Sequence, residues 1–382
     1  MSTCQIHKKF EGIYCQQTEM PGDPDGLCLL HSFNKEKDKE GAFTDAIKKK
    51  MDNNDYDFKG VFFPIDFSIF SGRQLTTNPN FSFATFSGET DFSKASFPTD
   101  AYFIGTVFYQ KVMFNGVHIW ENTNVYFRGT DFSEEGEVIF RGAKIYGRLL
   151  FEQINLPDKK RKRPAWHGDF IRLDIGPNAI LRFRDVSLAF VKFEGTDLTK
   201  IDFDDAKWYP LWSRIAVYEE INLKENPSYR EYARVEKIYR QLKTNYKYRD
   251  DYKRIGDFHY GEMEMHRKAS TWRRWISLYS VYWALSGYGE RPLRAFIWLL
   301  ALIPIWAGLV WGLGIDRASS QVPANYWDTL LFIFEKVTFQ RPALPAGLTW
   351  LGKFLSGLSV LLIPGQAALF ILALRNRLGR RR

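Results

Sequence analysis

The sequence predicts a right-handed quadrilateral β-helix, then an α-helical linker, then a two-helix transmembrane domain. Three observations predict it. Large apolar side chains recur at intervals of five and six through the middle of the chain, a charged stretch with helical spacing follows, and two runs of 21 residues near the C-terminus carry no charge.

The repeat decides the first element. Phe81, Phe86, Phe92, Phe97, Phe103, Phe108, Phe114 and Ile119 are separated alternately by five and six residues. The count slips near Phe127 and Phe132 and resumes at Phe140, Ile145, Phe151 and Leu156. It becomes purely pentameric at Phe183, Leu188, Phe193, Leu198, Phe203 and Trp208. A helix repeats every 3.6 residues and a half-buried strand every two, so neither carries this pattern. A solenoid does, if each short side of a coil contributes one inward ring. Four sides close a coil of about 20 residues, and coils stack at the strand-pairing distance of about 4.8 Å. Ser82, Ser87, Gly88, Asp91, Ser93, Thr130, Asp131, Thr196 and Asp197 between the rings suit corners and wet faces. A β-sandwich is the competing reading, but it does not hold one residue count over so many turns. The high count of 32 Phe in the chain suggests one ring recurring at a fixed structural position.

The repeats occupy residues 57–210. Residues 36–56 form a charged linker with a short helix around Thr44–Met51, and residues 1–35 hold every cysteine of the chain. Cys4, Cys15, Cys28 and His31 offer four ligands of the kind zinc takes in a tetrahedron, the last two as a Cys-x-x-His knuckle. His7 is a rival fourth ligand. The segment between them is rich in Gly and Pro and has little core of its own, so a bound metal supplies its cohesion. Four protein ligands make such a zinc structural. The competing reading is three free thiols and surface histidines. An odd cysteine count in one short stretch argues against a disulfide framework.

Residues 226–270 read as a helical linker opened by Asn226-Pro227. Residues 272–382 form the membrane domain. Trp275–Tyr288 is apolar and aromatic but short, an interfacial helix over 275–288. Ala295–Ile315 and Phe354–Leu374 are each long enough to cross a hydrocarbon core of about 30 Å. Arg291 and Arg294 precede the first span; Arg375, Arg377 and Arg380–Arg382 follow the second. The positive-inside rule then puts the N-terminal domain and the C-terminus in the cytoplasm, with no signal peptide at the start. Between the spans Asn325 caps a short apolar helix, 326–339, too short to cross. That pattern reads as a re-entrant pore helix, acceptable only where protein or water covers its ends, which requires a homo-oligomer. Phe334, Thr338, Gln340, Arg341 and Gln366 are the pore and filter candidates. An interfacial helix outside a plain two-span anchor is the competing reading.

The net charge of +9 favours anionic lipid or nucleic acid. Its placement beside the apolar runs favours the bilayer and argues against nucleic acid as partner. Lys159, Lys160, Arg161, Lys162 and Arg163 form a basic loop that interrupts the repeats. It reads first as a solvated bulge and second as an anion contact. His259, Glu262 and His266 share one helical face, with Glu264 off it, and read first as a charged packing face. No nucleophile elbow, phosphate loop or dinucleotide fingerprint is present, so catalysis is not expected.

The motifs in order are Cys28-Leu-Leu-His31, the Phe-rich repeats such as Asp91-Phe92-Ser93 and Asp131-Phe132-Ser133, Gly256–Glu264, Ser286–Arg294 and Ala373–Arg377. In that order they resemble bacterial pentapeptide-repeat proteins with a C-terminal two-transmembrane, ion-channel-like domain. The resemblance implies the β-helix fold and a multi-pass protein of the bacterial inner membrane. It supplies no ion, gate or ligand, and the Thr-Val-Gly-Tyr-Gly potassium signature is absent from the filter stretch. Two functional readings follow: an oligomeric channel with a cytoplasmic sensing or assembly domain, or a membrane-tethered scaffold whose β-helix binds a protein partner.

Overall fold

The computed structural model describes residues 2–38, 41–132, 136–154, 166–211, 214–269, 277–316 and 324–378. They form two compact units, Met1–Pro227 with Lys237–Asn245, and Ser228–Glu236 with Tyr246–Arg382.

In the first unit short strands pair in parallel into four sheets of four, five, four and five strands. The result is a β-solenoid of about five turns. Like residues fall in register from coil to coil: Phe127 faces Phe151, Phe151 faces Phe183, and Phe183 faces Phe203. Three inner columns are aromatic. In the longest, Phe58, Phe81, Phe103, Phe127, Phe151, Phe183 and Phe203 stack face to face, with centroids 4.6 to 6.0 Å apart. Rings of neighbouring columns meet edge to face, as at Phe103 and Phe114, 90° and 5.7 Å. The fourth column is mostly aliphatic: Phe97, Ile119, Ile145 and Ile175. Face-to-face spacing is imposed here by the strand-pairing distance, and the edge-to-face contacts between columns supply the preferred ring geometry.

The corners explain the count. Phe81, Phe92, Phe103 and Phe114 each open a β-turn in which the residue three on donates its N–H to the ring residue's carbonyl. The residue two after each ring has positive φ: Phe83 at 60°, Lys94 at 58°, Gly105 at 61°, Gly116 at 60°. That is a type II turn, and it fixes five residues to the next ring. The alternate corners have no such constraint and take six. The regular coils therefore hold 22 residues, as from Phe81 to Phe103, and not the expected 20. A coil of 20 occurs at the end of the stack, from Phe183 to Phe203. The slip near Phe127 and Phe132 falls at the alternate corners, eight residues from Ile119 to Phe127 and eight from Phe132 to Phe140, the first holding a turn of its own with Thr123 N–H on Trp120 O and Asn122 at φ 60°; both rings remain in their columns, over Phe103 and Phe108. Because Lys94 is an exposed non-glycine residue in the left-handed region, Lys94→Gly is expected to stabilise the solenoid by about 1 kcal/mol. Urea denaturation checks this, and a destabilised variant would show that the lysine stem contributes more than its backbone strain costs.

Residues 2–38 and 41–56 pack on the N-terminal end of this stack and cover it. The N–H of Phe62 donates to Leu30 O at 3.1 Å, and Phe10 stacks on Phe83 at 5.6 Å. Helix α1, Ala42–Asp52, buries Phe43, Ile47 and Met51 at helical spacing, and Phe43 meets Phe63 edge on. A solenoid end exposes one coil's apolar face, and these side chains remove it from water.

At the other end a hairpin of Tyr209–Leu211 and Arg214–Ala216 follows the last coil. Helix α2 is Tyr218–Ile221 and α3 is Tyr229–Lys247. Asn245 donates to Leu198 O and Ile201 O, each at 2.8 Å, closing carbonyls of the final coil. The expected cap at Asn226-Pro227 is corrected. Ser228 and Glu231 form the start of α3, Ser228 N–H donating to the Glu231 carboxylate at 2.7 Å and Glu231 N–H to Ser228 Oγ at 3.3 Å. This reciprocal box satisfies two orphan donors, which Pro227 cannot do.

The second unit contains α4 (Tyr252–Ala269), α5 (Leu278–Ser286), α6 (Pro292–Leu313), α7 (Tyr326–Val337) and α8 (Trp350–Leu378). Helices α6 and α8 are long and apolar enough to cross a membrane, with mean hydropathy 2.1 each. Only 11% and 22% of those stretches are buried inside the fold, unlike the core helix of a soluble protein. They run antiparallel. Phe296 meets Phe370 near one end, and at the other a Cβ on Gly314 would lie 2.5 Å from the Gly352 Cα. Such contact needs two small residues. Gly352→Leu is therefore expected to break the hairpin, seen as loss of the monodisperse species in detergent; an unchanged elution profile would count against the close approach.

Candidate functional site

The four residues expected to hold a metal converge. Cys4, Cys28 and His31 are buried, Cys15 is half-buried, and their ligand atoms all lie within 4.8 Å of one another. Cys28 Sγ is 3.1 Å from His31 Nδ1 and 3.8 Å from Cys15 Sγ; Cys4 Sγ is 3.5 Å from His31 Nδ1. The three thiols are free. A tetrahedral ion with metal–sulfur bonds of about 2.3 Å has sulfur–sulfur edges of about 3.8 Å, which the Cys15–Cys28 separation matches. His31 Nε2 lies 3.1 Å from Lys59 O. With its hydrogen on Nε2, the ring donates there and leaves the Nδ1 lone pair facing the sulfurs, the outer-shell arrangement usual for metal-binding histidine. His7 is exposed and stacks on Tyr14, so it is not the fourth ligand.

Local structure sets these positions. His31 and Ser32 N–H groups both donate to Cys28 O, forming the knuckle turn. The N–H of Cys28 donates to Cys4 Sγ at 3.3 Å. Lys37, which sequence reasoning missed, is buried behind the turn and donates to Leu30 O at 2.9 Å and Ser32 O at 3.0 Å. Its ammonium also sits 4.3 Å over the Phe43 ring. Burial pushes its amine down to about 7, opposed by the charges of Cys28, Asp23 and Asp38. The hydrogen bond from Cys28, with help from His31 and against burial, draws the Cys15 thiol down to about 4. Cys28 is driven upward by the same pairing and by burial. One thiolate beside one thiol is what metal-free ligands do when they share a proton; a bound cation takes that proton's place.

The filter candidates separate into two groups. Thr338, Gln340 and Arg341 are exposed after the end of α7, where Thr338 Oγ1 donates to Phe334 O at 3.0 Å. Phe334 is exposed on α7. Gln366 is buried, and its Nε2 donates to Ala295 O at 2.9 Å and Leu285 O at 3.2 Å. It clips α8 to α5 and α6. Helix α7 itself lies against both long helices. Phe332, Ile333 and Val337 pack with Ala307, Val310 and Ile363, Tyr326 OH donates to Pro304 O at 3.2 Å, and Lys336 Nζ to Ser356 Oγ at 2.6 Å. The chain then returns to its starting end, Asp316 N–H donating to Gly347 O and Thr349 N–H to Gly314 O.

His259 and His266 do not share a site: the first faces Glu262 at 3.9 Å, the second Glu236 at 3.4 Å. Glu264, set aside by face counting, is the residue at the centre of a buried network. It takes hydrogen bonds from Arg267 at 2.7 Å and from Tyr288 OH at 3.0 Å. Burial raises its carboxyl, and Arg267 and Lys268 outweigh that and lower it. The three- and four-residue spacing to Arg267 and Lys268 was the available signal. The basic loop Lys159–Arg163 and Leu156 lie outside the described residues.

Residues 70–118, the most regular coils, match the family model for pentapeptide repeats. The solenoid is built of pentapeptide repeats. No curated protein and no solved structure matches the chain.

Proposed function

We propose that this protein is an oligomeric pore of a bacterial cytoplasmic membrane, carrying a cytoplasmic pentapeptide-repeat domain that senses or assembles. The observation that supports it is the placement of α7. A 12-residue apolar helix is packed between two long apolar helices, and the chain leaves it toward the end it came from. In a bilayer that is a re-entrant segment. Its exposed Trp327, Leu331 and Phe334 then meet lipid or a second subunit, and Thr338, Gln340 and Arg341 line the conducting path. Arg291, Arg294, Arg375 and Arg377 mark the cytoplasmic end. The coil of the solenoid is right-handed and four-sided. The ion in the Cys4, Cys15, Cys28 and His31 cluster is zinc in a structural role, since three thiolates and an imidazole select a borderline-soft cation and leave no open position.

Liposomes containing the purified protein are expected to pass small ions, and Thr338→Ala with Gln340→Ala to change the selectivity or the rate by tenfold or more. Tight liposomes and a monomer in mild detergent would remove the pore. The second reading is a tethered scaffold, which the exposed Tyr109 and Trp120 on the solenoid favour. It stands if a chain lacking residues 292–378 keeps its cellular activity.

A further inference from the structure

The four cluster residues are not equally reachable. Cys4 and Cys28 are buried and do not line a cavity of about 310 Å³, whereas half-buried Cys15 and the buried His31 do. Tyr14, Gln17, Lys50, Asp57 and Lys59 line it as well, a polar lining that admits water and small polar solutes. The nearest sulfur to Cys15 is not in the cavity but behind it: Cys28 Sγ, 3.8 Å away. An accessible sulfur with a second sulfur at that distance is the arrangement of an attacking and a resolving cysteine.

From this geometry we infer that Cys15 is a modification site for hydrogen peroxide, and that its oxidation ejects the bound metal through a Cys15–Cys28 disulfide. The inference rests on the metal reading given above for the occupied state. The Cys15 thiolate attacks one peroxide oxygen, the O–O bond breaks, and hydroxide leaves, giving a sulfenic acid at Cys15. The Cys28 thiolate attacks that sulfur and expels a second hydroxide. Two electrons pass from the sulfur pair to the peroxide, and two protons from solvent turn the hydroxides into water. Cys4 and His31 alone hold the cation too weakly to keep it, because two of its four ligands are gone. Cys4 is left as a free thiol, since it neither reaches the cavity nor loses its hydrogen bond from the Cys28 N–H.

The test uses the full chain in detergent. Metal content is measured first, and hydrogen peroxide is then added in equimolar amount. The expected result is one zinc released per chain, free thiols falling from three to one, and a peptide cross-link joining Cys15 to Cys28. The same cross-link is expected in Cys4→Ser, and dithiothreitol with added zinc is expected to reverse both changes. A disulfide that includes Cys4, oxidation of Cys15 beyond the sulfenic acid without a disulfide, or an unreactive cluster would overturn the inference. Protein isolated without metal would instead end the metal reading, and the cross-link would still decide which sulfurs react.

Discussion

With the proposed zinc in the cluster, Cys28→Ser is expected to abolish metal binding and to unfasten the N-terminal cover of the solenoid. Cys28 is the most connected member of the cluster, 3.1 Å from His31 Nδ1 and 3.8 Å from Cys15 Sγ, with its own N–H on Cys4 Sγ. A serine hydroxyl stays protonated at neutral pH and does not replace a thiolate as a zinc ligand. Structural zinc contributes on the order of 10 kcal/mol to the folding of small metal-held segments, and residues 2–34 bury few apolar side chains. Their apolar contribution is modest, with Cys4, Ile6, Ile13, Leu27, Cys28 and Leu30 as buried apolar residues. Zinc per chain should fall from one to background. Amide exchange should accelerate over residues 2–38 and remain slow over residues 166–211, because each coil depends mainly on its neighbours. Full protection of residues 2–38 in a metal-free variant would show that the cover holds by packing alone.

Phe103→Ala is expected to be the most damaging single truncation in the solenoid, at about 3–5 kcal/mol. Phe103 lies in the middle of the longest column, between Phe81 at 4.9 Å and Phe127 at 4.6 Å, and meets Phe92 and Phe114 edge on. The vacated space cannot close, since the surrounding rings are fixed by strand pairing on either side. Tyr109→Ala, at an exposed ring on the same coil, should cost no more than about 0.5 kcal/mol. Urea melts of the two variants separate them, and equal midpoints would mean that the inner column is not the load on which the coils stand.

Much of this was legible in the residue order, and the reasons are specific. Phe81 through Ile119 announced a solenoid because inward rings must recur once per side, whatever the rest of the sequence does. Cys28 and His31 announced a pair of side chains that meet, 3.1 Å apart, because three residues is the reach of one turn. The two uncharged runs announced helices long and apolar enough to cross a membrane, by length and composition alone. The tight corner was less visible, since Phe83, Lys94 and Gly105 share a backbone conformation but not a residue type; φ is fixed by the hydrogen-bonded turn and the coil above it. Glycine counting would have found one of those three.

Local pattern therefore determined the kind of each element: coil, knuckle, linker helix, long apolar helix. It could do so because side-chain period and run length are properties of neighbours in the chain. Tertiary structure decided which distant groups meet. It chose His31 over His7, placed Lys37 behind the knuckle, turned Gln366 inward to carbonyls 71 and 81 residues away, and put Glu264 under Tyr288. Those choices depend on which backbone carbonyls and donors are left unsatisfied once the elements pack, and that is settled only in three dimensions.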